Sequence, residues 1–207
     1  MEKVLDIYKR PYNTAYPVVC MDESPRQLIK ETRHMVSAKP GRIARYDYEY
    51  KRCGVCNIFM AGEPLLGHRL VKVTERRTKI DWAYFIEEIA QAYENAEKIT
   101  LVMDNLNTHK PGSLYEVFTP EKAKALWDRF EFVYTPKHGS WLNMAEIELN
   151  VLTGQCLNRR IAQISEVKTE VAAWQNHRNN RNAIINWQFT TKEARIKLRR
   201  LYPTLDT

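Results

Sequence analysis

The sequence predicts an α/β fold in which a mixed β-sheet is flanked by helices. Apolar runs at residues 16–22 and 99–104 are typical of buried strands, and they end in Asp22 and Asp104. Between these runs, alternating apolar residues and turn residues indicate antiparallel strands. Apolar residues at helical spacing then follow over 80–95. Short hairpin connections in the first half and helical crossovers in the second predict antiparallel and parallel strands in one sheet.

The first half of the chain is expected to supply three of the strands. Residues 1–15 are polar and predict an arm that leads into the first strand at 16–22. Residues 24–41 are charged and contain Pro25 and Pro40, which predicts a loop or a short helix. Two further antiparallel strands are predicted from the runs around 46–50, 55–61 and 69–74.

The second half is expected to alternate between helices and strands. A helix over 80–95 leads to the strand at 99–104. The elements predicted next are a helix at 121–129, a strand at 131–134 and a helix at 143–153. Two more helices are predicted within 165–201, and the second begins at a capping box formed by Thr190 and Glu193.

Composition favours an intracellular globular protein. The chain has 207 residues and is 44% hydrophobic, which suits one domain or one domain with an appendage. No apolar run approaches the length of a membrane span, and the N-terminal residues lack the pattern of a secretory signal. A cytoplasmic location is therefore expected. Cys53 and Cys56 form a C-x-x-C pair, but no second pair exists for zinc, so reduced thiols are expected.

Positive charge is concentrated at the C-terminal end. Residues 154–207 contain 10 Lys/Arg and 4 Asp/Glu, for +6, whereas residues 1–153 contain 22 and 21, for +1. On the last predicted helix, Lys192, Arg195 and Arg199 form a basic stripe that faces either phosphates or water. A basic end beside an acidic site favours a protein that binds a polyanion, and the alternative is a solvated charged face.

The acidic residues at the strand ends predict a metal site. If the strands that end at Asp22 and Asp104 are neighbours, these carboxylates lie about 5 Å apart and can share a divalent cation. A third acid, Glu146 or Glu148, lies on a predicted helix. These two side chains point about 200° apart, so spacing alone leaves both open. Glu23 is expected to point to the opposite face from Asp22 or into the loop.

Polar residues near these acids are candidates for supporting roles. Asn105 is suited to bonding a phosphate or a metal-bound water. His109 is suited either to contacting DNA or a leaving group, or to a structural hydrogen bond. Lys137 and His138 predict a phosphate-facing loop or an ordinary exposed turn. Trp141 is expected to pack in the core, with base stacking as the alternative.

Three blocks of the sequence resemble the signature blocks of the DDE transposases, in the bacterial insertion-sequence branch related to the mariner superfamily. They are VVCMDE at 18–23, LVMDNLNTH at 101–109 and PKHGSWLNMAE at 136–146. A fourth stretch, WQFTTKEAR at 187–195, is similar to the terminal block of that branch. The resemblance extends from about residue 5 to residue 203.

The resemblance implies a ribonuclease-H-like fold with a mixed five-stranded sheet. It implies a catalytic domain at 1–160 and a basic helical extension at 161–207 packed on it. It also selects Glu146 as the third acid, because the family's third acid follows a Leu-Asn-x-x pattern, here at Leu142 and Asn143. Asn143 is thereby a supporting residue. The helix-turn-helix domain that precedes the catalytic domain in family members is expected to be absent.

The resemblance also implies the reaction. Asp22, Asp104 and Glu146 would hold two Mg²⁺ ions, with Mn²⁺ as a substitute, and cleave DNA at the terminal inverted repeats of a transposon. The freed 3′-hydroxyl would then attack target DNA. The expected partners are DNA and a second copy of the chain, without a membrane, in the bacterial cytoplasm at the nucleoid. Two alternatives are an inactive remnant that only binds DNA or a partner, and an RNA-directed hydrolase, which would need a fourth acid.

Overall fold

The computed structural model describes residues 1–33, 36–45 and 48–202. Five strands form one sheet: β1 (Val18–Glu31), β2 (Tyr50–Glu63), β3 (His68–Thr74), β4 (Ile99–Met103) and β5 (Phe130–Tyr134). The helices are α1 (Glu2–Tyr8), α2 (Lys79–Ala92), α3 (Pro111–Tyr115), α4 (Pro120–Asp128), α5 (Met144–Leu152), α6 (Ile164–Asn180) and α7 (Thr191–Lys197). Short 3₁₀ turns lie at Ser140–Leu142 and Arg199–Leu201, and a π-helical turn lies at Thr153–Leu157.

The strand order in the sheet is β3-β2-β1-β4-β5. β2 is antiparallel to both β1 and β3, whereas β4 is parallel to both β1 and β5. The predicted mixed five-stranded sheet flanked by helices is confirmed. Its parallel half is joined by helical segments that cross the sheet, which is the connection that parallel strands require.

A hydrophobic core lies on each face of the sheet. Helices α1, α5, α6 and α7 cover one face, and α2, α3 and α4 cover the other. Side chains of a strand alternate between faces, so Cys20 on β1 enters the core beneath α5 while Val19 and Met21 enter the core beneath α2. The same alternation sends Asp22 towards the α5 layer and Glu23 towards the α2 layer.

Strand β1 is longer than predicted. Residues 24–31 were expected in a loop or short helix, but they continue β1 and pair with β2 as far as Glu31 and Tyr50. The parallel partner β4 pairs with β1 only as far as Cys20. Beyond that point no strand among the described residues pairs with this side of β1, and a strand side without a neighbouring strand is where Pro25 is tolerated. Residues 46–47 of the predicted run at 46–50 lie outside the described residues.

Two short helices were also missed. The N-terminal arm predicted over 1–15 contains α1, whose Val4, Leu5 and Ile7 are buried. No side-chain cap supports α1, so its helical structure depends on packing against the core. Pro111 starts α3, because proline is suited to the first turn of a helix, where its missing N–H leaves no hydrogen bond unmade.

Helix α6 lies against the outer strand of the sheet. Its Asn179 side chain accepts a hydrogen bond from the Arg69 N–H (2.9 Å) and donates one to the Arg69 carbonyl (2.9 Å). Gln175 accepts a third, from the Val71 N–H (2.6 Å). These amide groups satisfy the open edge of β3, which would otherwise expose unpaired backbone groups.

The predicted capping box that begins α7 is confirmed, with Thr190 and Glu193 bonding each other's backbone N–H groups. None of the helices within the described residues has both the length and the apolar character needed to cross a bilayer.

Candidate active site

Asp22 and Asp104 follow the paired residues of two neighbouring strands in the middle of the sheet. β1 and β4 are neighbours, with Val18 beside Thr100 and Cys20 beside Val102. The same offset places Asp22 beside Asp104, which directly follows β4. Adjacent strands lie about 4.8 Å apart, so residues at this offset lie about one strand spacing from each other.

Helix α5 brings Glu146 to the face of the sheet that Asp22 occupies. Asn143 caps this helix, and its side chain accepts a hydrogen bond from the Ala145 N–H (3.2 Å). The Asn143 amide also donates to the carbonyl of Met21 (2.7 Å), the residue before Asp22. A single buried amide thus fixes the start of α5 against the end of the apolar part of β1. Glu146 lies in the first turn of that helix.

The electrostatics of Asp22 show that the acids form one cluster. Burial raises the pKa of Asp22, and the negative charges of Asp104, Glu23 and Glu146 raise it further, to about 7. The Glu23 N–H donates to the Asp22 carboxylate (2.8 Å), which partly opposes this rise. A cluster of carboxylates that repel one another is stabilised by a bound cation.

The two candidates for the third acid have different surroundings. Glu148 is buried and forms ion pairs with Arg69 and Arg178, at 2.8 and 2.7 Å. Glu146 is partly exposed, and its carboxylate makes no hydrogen bond or ion pair with any residue that the structure describes. Of the two, Glu146 therefore has the free carboxylate.

His109 links Asp104 to Glu23. The imidazole is fully buried and stacked on Trp82, with ring centroids 5.5 Å apart. Its Nε2 lies 2.9 Å from Glu23 Oε1, and its Nδ1 lies 3.1 Å from the Asp104 carbonyl. Burial lowers the pKa of His109, but the hydrogen bonds to Asp104 and Glu23 outweigh burial and raise it to about 9. A protonated imidazole donating to both partners follows, and its burial leaves it no direct contact with DNA.

The donor set fits a divalent cation. Asp104 Oδ1 is buried and makes no hydrogen bond of good geometry, although His109 Nδ1 lies 2.8 Å away. Within the described ranges, Glu23, Asp104 and His109 form a cluster whose potential ligand atoms lie within 4.8 Å, and it includes neither Asp22 nor Glu146. The carboxylates of Asp22, Asp104 and Glu146 offer oxygen atoms, which are the kind of ligand that suits Mg²⁺ or Mn²⁺.

Other predicted site residues lie on exposed loops near these acids. Asn105 directly follows Asp104 and is exposed. Lys137 and His138 are exposed in the turn after β5, where Gly139 is required because a Cβ would lie 2.5 Å from Pro136 Cγ. The expectation that Trp141 packs in the core is wrong, since the residue is 42% exposed, with an edge contact between its ring and that of Phe189.

The basic stripe on α7 is partly engaged within the chain. Arg195 forms a two-pronged ion pair with Glu2 on α1, with both N–O distances at 2.8 Å. Arg199 is exposed in the following 3₁₀ turn. A DNA contact by either residue stays a prediction, and for Arg195 it would compete with Glu2.

Sequence reasoning did not find the roles of Glu23 and Asn143 in the geometry of the site. The alternation along β1 indicated that Glu23 points away from Asp22, but nothing indicated its partner His109, which is 86 residues away. The hydrogen bond from Asn143 to Met21 joins residues that are 122 apart. The N-cap pattern before a helix was the available signal for Asn143.

The fold and the acidic site together define a ribonuclease-H-like protein with one carboxylate within β1 and another directly after β4, the parallel neighbour of β1. The family model described as DDE superfamily endonuclease matches residues 17–168, more than half of the 207 residues, and the chain belongs to this family. No curated protein matches the chain.

Solved structures of Mos1 are similar in fold. The Mos1 mariner paired end complex with Mn has a TM-score of 0.58 and 16% identity, covering 88% of this chain and 55% of that chain. The Mos1 strand transfer complex gives 0.58 and 14%, covering 88% and 54%. The mariner Mos1 paired end complex with Mg gives 0.60 and 14%, covering 89% and 54%. The chain thus spans little more than half the length of these Mos1 chains.

Proposed function

We propose that this chain is the catalytic domain of a transposase, which cleaves DNA at the ends of a transposon and joins the freed end to target DNA. The observation that carries the proposal is the placement of Asp22 beside Asp104, with Glu146 on the same face of the sheet. Membership of the DDE superfamily endonucleases supports nuclease chemistry. The likeness to Mos1 paired end and strand transfer complexes supports transposon ends and target DNA as the substrates.

Asp22, Asp104 and Glu146 would hold two Mg²⁺ ions, with Mn²⁺ as a substitute. When bound, such a pair of ions supplies activation of the attacking water or 3′-hydroxyl and stabilisation of the leaving oxygen. Asp22 carries a proton for part of the time near neutral pH, because its pKa is about 7. The charged form of the Asp22 carboxylate is the form that would hold a cation.

Neighbouring side chains would hold the acids in position. His109 bonds Asp104, and Glu23 balances the positive charge of the imidazole. Asn143 fixes the start of α5, so that Glu146 stays on the face that Asp22 occupies. Hydrogen-bonded partners behind metal ligands orient those ligands and tune their basicity.

DNA would approach from the exposed loops around these acids. Asn105, Lys137 and His138 are suited to contacting phosphates there, and Arg199 is suited to doing so from the C-terminal turn. The proposal keeps residues 1–160 as the catalytic domain and residues 161–207 as its extension. Helices α6 and α7 support this division by packing on the α5 face of the sheet. The proposal also includes a homodimer of this chain, which would act on two paired transposon ends at the bacterial nucleoid.

The test is cleavage of supercoiled plasmid by the purified chain with Mg²⁺ or Mn²⁺. Asp22→Asn and Asp104→Asn are expected to reduce nicking by a factor of at least about a hundred, because each removes a metal ligand. The matched control is Asp128→Asn, which removes a surface carboxylate paired with Lys124 and leaves nicking unchanged. Nicking at the wild-type rate by Asp104→Asn contradicts the proposal. Salt-dependent DNA binding without metal-dependent cleavage on a verified transposon end would favour the inactive remnant instead.

A further inference from the structure

A second concave surface lies between the π-helical turn Thr153–Leu157 and α6. Its volume is about 600 Å³, and it is separate from the acidic site. The charged side chains that line it are Arg159, Glu170, Arg178 and Arg181, with His177 beside them. We call this surface the α6 groove.

The walls of the α6 groove are held in place by defined contacts. Trp174 Nε1 donates a hydrogen bond to Gln155 Oε1 (2.9 Å), which joins α6 to the π-helical turn. Arg178 donates two hydrogen bonds to the carboxylate of Glu148, from Nε at 2.7 Å and from Nη2 at 3.0 Å. A π-helical turn is rare in proteins and is often found at functional sites.

The α6 groove carries unbalanced positive charge. Arg159 is paired with Glu170 at 2.8 Å and with Glu166 at 3.8 Å, and Arg178 shares the carboxylate of Glu148 with Arg69. Arg181 and His177 are exposed, and neither side chain makes an ion pair with the part of the chain that the structure describes. A concave surface with excess positive charge concentrates anions.

We propose that the α6 groove binds the phosphodiester backbone of DNA, at a distance from the acidic site. Gly154 lies eight residues beyond Glu146 on a nearly continuous helical segment, which corresponds to about 12 Å. That distance spans roughly three to four base pairs along a duplex. A duplex that is bound at the acidic site and runs along this segment would reach the groove a short distance from the scissile phosphate, and this inference rests on the function proposed above.

Favourable interaction with the helix dipole does not by itself explain why basic residues line the α6 groove. Cations in the last turn of α6 interact favourably with the end of the helix, which accounts for Arg178. Arg159 lies outside α6, however, and the cavity between the two segments needs no such cations. A ligand with several anionic groups accounts for both observations.

The test is DNA binding without cleavage. Anisotropy of a labelled duplex of about 30 base pairs is measured in EDTA, from about 50 to 200 mM NaCl. The double variant Arg181→Ala, His177→Ala is expected to bind roughly tenfold more weakly. Its slope of log affinity against log salt should also fall by about 0.9 for each phosphate that the variant no longer neutralises. Arg77→Ala is the matched control, since Arg77 is exposed and makes no ion pair with a described residue.

A charge-removing variant tests the sign of the effect. Glu170→Gln removes the acid that lines the groove and is expected to tighten DNA binding several-fold. Loss of folding cannot produce this result, because an unfolded variant would bind DNA more weakly. Wild-type affinity and salt slope in the double variant overturn the inference, as does equal weakening by Arg77→Ala. Because binding is measured in EDTA, absence of nuclease activity does not affect the result. If the double variant nicks DNA normally and binds it with unaltered affinity, the proposed role of the α6 groove is wrong, and the function proposed for the acidic site is unaffected.

Discussion

Arg69 and Glu148 form a two-pronged ion pair in the interior of the protein. Arg69 Nε and Nη2 each lie 2.8 Å from a carboxylate oxygen, and both side chains are 2% exposed. Arg178 on α6 bonds the same carboxylate. Burial alone would raise the pKa of Glu148, but the hydrogen bonds from the two arginines lower it overall. One carboxylate therefore joins β3, α5 and α6.

Glu148→Gln is expected to destabilise the protein by about 3–5 kcal/mol, because it leaves the buried Arg69 charge without its partner. Urea unfolding at neutral pH measures the decrease. The control is Glu116→Gln, which breaks a surface ion pair with Lys79 (2.7 Å) and should cost less than about 1 kcal/mol. Equal decreases in the two variants would show that the interior ion pair has no special role.

Asn143→Ala is expected to reduce cleavage more than its effect on stability explains. The variant loses the cap of α5, at a cost of about 1–2 kcal/mol, and also the hydrogen bond to Met21 that positions Glu146. Thr119→Ala removes the cap of α4, which lies outside the acidic site. Nicking rates at a temperature where both variants are folded make the comparison. A rate for Asn143→Ala that matches Thr119→Ala would contradict the positioning role.

His109→Gln is expected to lower metal affinity or cleavage by about 10–100-fold, since the imidazole orients the Asp104 carboxylate. Titration of nicking with Mn²⁺ separates the two effects, because weakened binding is recovered at high concentrations of the ion. Glu23→Gln should act in the same direction by removing the other partner of His109. His68→Gln, outside this site, should leave the titration unchanged.

Glu63 is expected to make stability depend on pH. It is 3% exposed, and burial raises its pKa from 4.5 to about 7. Below pH 4.5 the group is protonated in both the folded and unfolded states. As the pH rises from 4.5 to 7, the unfolded state ionises first, so the free energy of unfolding decreases, by up to about 3 kcal/mol.

Glu63→Gln removes this dependence. The free energy of unfolding of the variant should therefore exceed that of the wild type increasingly as the pH rises from 5 towards 8. Urea unfolding at several pH values measures this difference. Glu75→Gln, at an exposed position, supplies the control. A constant stability difference between wild type and Glu63→Gln over this pH range would show that the carboxyl group titrates normally.

The sequence predicts those parts of the fold that depend on local pattern. The apolar runs that end at Asp22 and Asp104 identify the two central strands, and the Thr190 box identifies the start of α7. Residues 24–31 have no such pattern and become strand only because β2 pairs with them. Helix α1 likewise forms because Val4, Leu5 and Ile7 find a core made by distant segments.

In the candidate site, too, local pattern predicts some features, whereas others depend on residues that are distant in the sequence. The sequence pattern leaves two candidates for the third acid, Glu146 and Glu148, because both lie on one predicted helix. The distinction between them comes from Arg69, which is 79 residues away from Glu148 and takes up its charge. The partner of Glu23 and the positioning contact of Asn143 likewise depend on long-range contacts, which have no counterpart in local spacing.

The pairing of α1 with α7 brings the two ends of the described chain together. Arg195 holds Glu2, and the Thr191 hydroxyl donates to Asp6 (2.7 Å). The Tyr8 hydroxyl, at the end of α1, donates to the carbonyl of Leu142 (2.7 Å), just before α5. A circular permutant joined across these ends should therefore keep the sheet intact. A domain tethered at either end would be anchored close to the start of α5, the helix that carries Glu146.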